Sequence, residues 1–271
     1  MVLDHPATLC VQLASGELDV ALVSTFEFLR NPIYRIVDDV SVSSAGPVYS
    51  VFVAHHGDIS EVEEIELDPA SQTSVNLLRC LLGEHGLNPR FAFGSGSTGC
   101  QPVVAGNLPA TSDNVPCGKE PIATPRQAAE ANRPAACAPQ TTARLLIGDQ
   151  AIRFRQEQGA KFKYWDLGEQ WSGLDGLDLP FVYALWLVRP EVSDPKSIGD
   201  RLRALRDENL AGIDGLIAEE KGFDPDFCAR YYRENLRFTF GEKEKEGLRK
   251  FQGLCEKHSL LPKRYIDLSL V

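Results

Sequence analysis

The sequence predicts an α/β fold built as two lobes, and three observations carry that expectation. A helical pattern over residues 5–15 runs directly into an apolar strand pattern over 18–23. A second strand-to-helix join spans residues 64–82. Two long apolar extended segments, 41–53 and 179–188, are each suited to carry the chain from one lobe to the other. On this reading residues 1–50 and 182–271 form lobe 1, and residues 51–181 form lobe 2.

Each element has a local reason. Pro6 stands at the first position of the opening helix and Gly16 just beyond its end. The join over 16–23 reads as a helix entering a buried parallel strand. Ser24, Thr25 and Glu27 follow at that strand's C-terminal end. In open α/β sheets this edge faces the ligand crevice, although a Ser-Thr pair also suits the N-cap of a short helix through Leu29. Residues 33–37 form the next expected strand. The extended segment 41–53 is interrupted at Gly46-Pro47, where glycine permits unusual dihedrals and proline fixes the next one, so Ser43 and Ser44 lie near a hinge. A bulged edge strand with solvated serines explains the same residues. His55 and His56 have no partner at metal-ligand spacing and read as loop residues.

Ile65 and Leu67 alternate with acidic residues as on a short half-buried strand, which Asp68-Pro69 stops. Ser71, Thr73 and Ser74 then crowd the start of a helix whose Val75, Leu78 and Leu82 share one face. Open backbone N–H groups and three hydroxyls make this turn a donor-rich cradle for a carboxylate or phosphate; capping alone accounts for the same residue types. Residues 94–140 hold seven of the 17 prolines, three of the seven cysteines and no aromatic residue. Such a segment buries too little apolar surface to offset its ordering entropy and is expected to be a disordered insertion. An apolar strand then ends at Gly148-Asp149 before another helix. Gly148 permits close backbone approach, while Asp149 caps the helix or orients a hydroxyl. Residues 164–171 read as a polar-aromatic connector. Helices are expected over 198–220, 225–234 and 243–257, the last with Leu248, Phe251 and Cys255 on one stripe, before an extended tail at 265–270.

Composition excludes several function classes. A chain of 271 residues, 43% of them hydrophobic, is long enough for a sizeable core. Its net charge of -10 argues against nucleic acid or an anionic membrane as partner, because either needs a basic face. The longest apolar run, 179–188, is half the ~20 residues of a membrane span. The N-terminus has neither the basic start nor the apolar core of a signal peptide, so a cytoplasmic location is expected. The seven cysteines form no Cys-x-x-Cys or Cys/His cluster and are expected to be reduced. With no Gly-rich nucleotide loop, Ser-His-Asp spacing or metal motif, no cofactor and no metal are expected.

Five pieces, in order, carry a resemblance: residues 16–23 (GELDVALV) with 27–30 (EFLR); 43–51 (SSAGPVYSV); 67–74 (LDPASQTS); 146–149 (LIGD); and 166–169 (DLGE) leading to 179–181 (LPF). Together they resemble the chorismate dehydratase family of the futalosine route to menaquinone. The resemblance implies a two-lobed, periplasmic-binding-protein-like (type II) fold with a ligand cleft between the lobes. It implies a hydro-lyase converting chorismate to 3-[(1-carboxyvinyl)oxy]benzoate and water, without cofactor, with chorismate as its small-molecule partner and the protein a monomer or homodimer. On that basis Ser71, Thr73 and Ser74 grip a carboxylate, Ser43, Ser44, Gly148 and Asp149 line the opposing walls, and Thr25 joins them from its strand edge. The family also has a first strand ending in a Tyr-Leu-Asn turn that residues 1–15 do not contain. The chain is therefore expected either to begin upstream or to be impaired. The alternatives are a non-catalytic small-carboxylate binding protein or inactive paralogue of the same fold, and the sister enzyme that releases dihydroxynaphthoate from a cyclic futalosine intermediate. The SSxGPV piece favours the dehydratase over that sister enzyme.

Overall fold

A computed structural model describes residues 2–68, 71–93, 142–176 and 178–271; the expected insertion at 94–140 lies outside them. Helix α1 (Pro6–Ser15) is closed by Gly16 at φ 83, a left-handed position that glycine fills without strain. Then follow β1 (Val20–Ser24), α2 (Thr25–Arg30), β2 (Arg35–Ser44), β3 (Val51–His55), β4 (Glu64–Leu67), α3 (Gln72–Glu84) and β5 (Arg90–Phe93). After residue 141 come β6 (Thr142–Ile147), α4 (Asp149–Gln158), β7 (Lys163–Asp166), α5 (Leu167–Gly173) and β8 (Phe181–Val188). Helices α6 (Pro195–Ala211), α7 (Ile213–Glu219), α8 (Pro225–Arg230) and α9 (Glu242–Lys257) complete the order, with a π-helical turn at Tyr231–Asn235.

The strands form two sheets. In the five-stranded sheet, ordered β5-β4-β6-β3-β7, β4 lies parallel to both β5 and β6, whereas β3 runs antiparallel to β6 and β7. In the three-stranded sheet β8 runs antiparallel between β1 and β2, so that Ser24 faces Ala184 and Ser43 faces Val182. This corrects the expectation of a parallel strand at residues 18–23. The apolar run reports burial, which β1 has, but not the direction of its neighbour, and the neighbour here is the strand returning from the second sheet.

Four further expectations change. The strand expected over 33–37 begins at Arg35 and continues through 41–44 as one strand, β2, whose register shifts between Ile36 and Ser41 around Asp39 at φ 59; the polar Asp38-Asp39 pair marks a bulge, not a strand end. The connector at 164–171 is instead β7 followed by α5. His55 is not a loop residue but the buried end of β3, and burial holds its imidazole pKa below the ordinary value. The helix expected over 198–220 is divided at Gly212 into α6 and α7.

The largest core side chain is Trp171 of α5. Its ring meets Phe181 edge-on at 5.0 Å, and its indole N–H donates to the Leu179 carbonyl at 2.9 Å. Helix α9 turns Leu248, Phe251 and Cys255 inward, as its stripe predicts, and Cys255 Sγ lies 3.8 Å from Cys80 Sγ of α3, both as free thiols. The extended tail is tied to β2, where Val271 N–H donates to the Ile36 carbonyl at 3.0 Å. No helix among the described residues is long and apolar enough to cross a membrane.

Helix α9 approaches the start of β8 through Gly247, where a Cβ would sit 2.1 Å from the Pro180 carbonyl oxygen. Gly247→Ala is therefore expected to lower stability by about 1–3 kcal/mol, the ordinary penalty for overfilling a packed contact. Urea unfolding measures it, and a loss under about 0.5 kcal/mol would show that α9 can slide off β8 freely.

Candidate functional site

The predicted site residues fall into two groups of hydroxyls. The first surrounds the start of α3. Ser71 is its N-cap, at φ -133, and its Oγ accepts the Ser74 N–H at 3.3 Å and the Ser74 hydroxyl at 3.2 Å. Thr73 points elsewhere. Its Oγ1 accepts the Phe26 N–H at 2.9 Å and lies 2.5 Å from Ser24 Oγ, which in turn accepts the Thr73 N–H at 3.0 Å. The Thr73 hydroxyl is thus engaged in a reciprocal lock between the α3 start and the β1–α2 turn. Ser24, which the resemblance did not assign, is its other half; the two stand 49 positions apart in the sequence, so no local pattern links them. Thr25 is fully buried beside this lock, and its Oγ1 has no hydrogen-bond partner among the described residues. An unpaired buried hydroxyl costs about 1–3 kcal/mol.

The second group lies along the elbow from β2 to β3. Ser43 is completely buried; its Oγ donates to the Arg237 carbonyl at 3.5 Å, and the two backbones exchange hydrogen bonds of 2.9 and 2.8 Å. Ser44 Oγ donates to the Gly46 carbonyl at 3.2 Å and lies 3.4 Å from the Tyr183 hydroxyl. Burial pushes the Tyr183 pKa up, so this phenol stays neutral. The chain then turns through Gly46 at φ 101 and Tyr49 at φ 67. For a non-glycine residue that left-handed conformation costs about 1–2 kcal/mol.

Asp166 sits under the elbow, 3% exposed. Its Oδ1 accepts the N–H groups of Val48 and Gly168 at 3.0 Å and Glu169 at 3.1 Å, and Oδ2 accepts the Tyr49 N–H at 2.7 Å. The Arg155 guanidinium lies 3.8 Å from Oδ2 and 4.2 Å above the Tyr49 ring. Beyond the elbow, the Ser50 carbonyl accepts the Gly148 N–H at 2.8 Å. Gly148 holds the cap position of α4 at φ 66, a left-handed conformation that requires glycine, and Asp149 stands exposed one residue inside the helix. The capping role considered for Asp149 is therefore corrected, since the residue before it occupies that place.

Tyr231, which sequence reasoning missed, donates to Ser50 Oγ at 2.8 Å from the π-helical turn. Burial pushes its pKa up to about 12. Both phenols and the serines thus present neutral hydroxyls, the group type that recognises a carboxylate without a full counter-charge. Two cavities of about 270 and 280 Å³ lie elsewhere, one beside Asp38, Asp39 and Arg203, the other between α9 and the tail. No group of three His, Cys, Asp or Glu among the described residues is placed to hold a metal.

Two sheets joined by β2–β3 and by the returning β8 give the chain a periplasmic-binding-protein-like fold. The fold is similar, at TM-score 0.60 and 18% identity, to a crystal structure from Archaeoglobus fulgidus, covering 96% of this chain and 86% of that one. It is also similar to an ABC transporter protein of Parabacteroides distasonis (TM-score 0.57, 13% identity, 99% and 86% covered). A third likeness is to the periplasmic aliphatic sulphonate binding protein SsuA of Escherichia coli (TM-score 0.50, 14% identity, 98% and 79% covered). In sequence, residues 1–109 and 120–257 match the model of a family described as menaquinone biosynthesis. The chain is also 30% identical over 269 residues to the chorismate dehydratase of Thermus thermophilus, covering 91% of this chain and 83% of that protein. The chain belongs to this menaquinone biosynthesis family.

The lock at the α3 start is open to direct test. Thr73→Val keeps the shape but leaves the Ser24 hydroxyl and the Phe26 N–H without their partner, and is expected to cost about 1–3 kcal/mol in denaturant unfolding. Thr73→Ser keeps the hydroxyl and is expected to lose less. Equal losses from both would mean that packing, not the hydrogen bonds, holds the joint.

Proposed function

We propose that the protein is a chorismate dehydratase, a carbon–oxygen lyase that converts chorismate to 3-[(1-carboxyvinyl)oxy]benzoate and water in menaquinone biosynthesis by the futalosine route. The observation that carries this reading is the 30% identity to a chorismate dehydratase across 91% of the chain. The geometry agrees with it. Neutral hydroxyls gather at the α3 turn and along the elbow, beside the starts of α3 and α4, and the substrate offers two carboxylates, a hydroxyl and an enol ether. Residues 1–50 with 182–271 form one wall of the cleft in this proposal, and residues 51–181 the other.

The reaction asks little of the protein. The ring loses its hydroxyl with the bonding electron pair and a neighbouring carbon gives up a proton, so that hydroxide and proton leave together as water. The electrons of the broken C–H bond complete an aromatic ring, which drives the step. The protein's part is to hold the substrate so that the proton and the departing hydroxyl are both served, by orientation and by hydrogen bonding to the leaving oxygen. Ser71 and Ser74 at the α3 start would hold a carboxylate, helped by the partial positive charge of the helix end. Ser43, Ser44, Gly148 and Asp149 would line the facing walls, and Thr25 has a hydroxyl to spare. A carboxylate of the substrate itself is a sufficient base for the proton, so no side chain is assigned that role.

Incubation of the full-length protein with chorismate, followed by chromatography for the aromatic enol ether, tests the reading. Product above the uncatalysed background is expected. Thermal stabilisation by chorismate with no product would overturn the enzyme reading and identify a binding protein of the same fold, and the absence of both effects would overturn the substrate assignment as well.

A further inference from the structure

Asp166 opens the DLGE motif at 166–169, and the proposed reaction leaves it without a role. A carboxylate that only capped α5 would take the N–H groups of Gly168 and Glu169. This one takes two more, from Val48 and Tyr49, 118 and 117 residues away in the sequence. Those two residues form the elbow between the sheets. Tyr49, at φ 67, is in a conformation its side chain disfavours, and it is held there from three directions. Its N–H bonds to Asp166 Oδ2 at 2.7 Å, Arg155 covers one side of its ring at 4.2 Å, and Phe227 meets it at 5.1 Å. Beneath the elbow, Gly168 packs so closely that a Cβ there would stand 2.5 Å from the Gly46 carbonyl oxygen and 2.9 Å from Ser44 Oγ.

We propose that Asp166 is a positioning residue for the site: it holds the elbow in its left-handed form and so sets the hydroxyls at the elbow's two ends, Ser44 against Gly168 of α5 and Ser50 against the α4 turn. The substrate of that site rests on the function proposed above; the geometry does not. A peptide unit that leaves φ 67 for the ordinary extended region redirects the chain at the next residue. That residue is Ser50, whose carbonyl receives the Gly148 N–H and whose hydroxyl receives Tyr231. Relaxation of Tyr49 would therefore disturb the α4 turn and the elbow hydroxyls together. Arg155 alone does not prevent it, because its 3.8 Å approach to Oδ2 leaves the Tyr49 N–H unsupported.

Capping and positioning can be separated, because Oδ1 serves Val48 and both α5 amides while Oδ2 serves Tyr49. Asp166→Asn keeps an acceptor for the cap, asparagine being as good an N-cap as aspartate, but presents an amide NH2 to the Tyr49 N–H. The expected result is a loss of tenfold or more in kcat/KM with chorismate, carried mainly by KM. Amide hydrogen exchange should rise about tenfold at Tyr49 and stay unchanged at Gly168 and Glu169. Adding Tyr49→Asn, which occupies the left-handed region readily, should restore kcat/KM to within about threefold of the parent. Faster exchange in α5 without change at Tyr49, or no rescue by the second substitution, would show a cap and nothing more, and overturns the proposal. If the parent protein does not turn over chorismate, the function reading fails by that result alone, and exchange at Tyr49 still decides whether Asp166 holds the elbow.

Discussion

A chain that leaves one sheet and enters another must turn sharply between them without stranding its backbone donors. Here the turn takes only the residues between Ser44 and Val51, and it passes through two left-handed positions. What makes this tolerable is a single buried carboxylate. Asp166 accepts four backbone N–H groups, two at the start of α5 and two in the elbow, so its charge is matched by converging dipoles together with the Arg155 guanidinium at 3.8 Å. The same anion satisfies both a helix start and a strand crossing. Its loss would leave unpaired donors in two elements at once, which is why the rest of the structure depends on it.

The elbow is one joint between the sheets. Another is the exchange of hydrogen bonds between Ser24 and Thr73, which fixes the start of α3 against the β1–α2 turn. Both joints are built from short side chains bonded to backbone, and such contacts have little conformational entropy to lose. Between them, the serines and the α4 cap glycine that the family resemblance marks are set by contacts made far away in sequence. The C-terminal segment adds a third constraint, through Tyr231 on Ser50 and Arg237 along Ser43. Residues distant from the hydroxyls therefore govern where the hydroxyls point.

The fold was legible in the sequence where a local signal existed. Gly16 closed α1, Ser71 capped α3, and the apolar stripe of α9 faced the core, because capping and amphipathicity are written within one or two turns of helix. The failures share a cause. Strand direction at β1, the single bulged strand β2 and the burial of His55 are decided by partners more than a hundred residues away. The candidate site shows the same division. The serines proposed for it come from the motif order, whereas the engagement of Thr73 with Ser24, the four-fold use of Asp166 and the arrival of Tyr231 all require the folded chain.

The neutrality of the assembled hydroxyls bears on the kind of chemistry proposed. An elimination that must pull a proton from an unactivated carbon needs a strong base held in a dry site, and burial of such a base is expensive. An elimination that ends in an aromatic ring needs far less, because the product's stability is already felt as the bonds begin to break. Serine and tyrosine hydroxyls suit that case. They can donate to a departing oxygen and to carboxylates without becoming charged, and burial keeps both Tyr183 and Tyr231 protonated well above neutral pH. The demand then falls on placement, not acid or base strength. A site whose hydroxyls are fixed by a strained elbow and a buried carboxylate meets that demand by rigidity of the backbone that carries them.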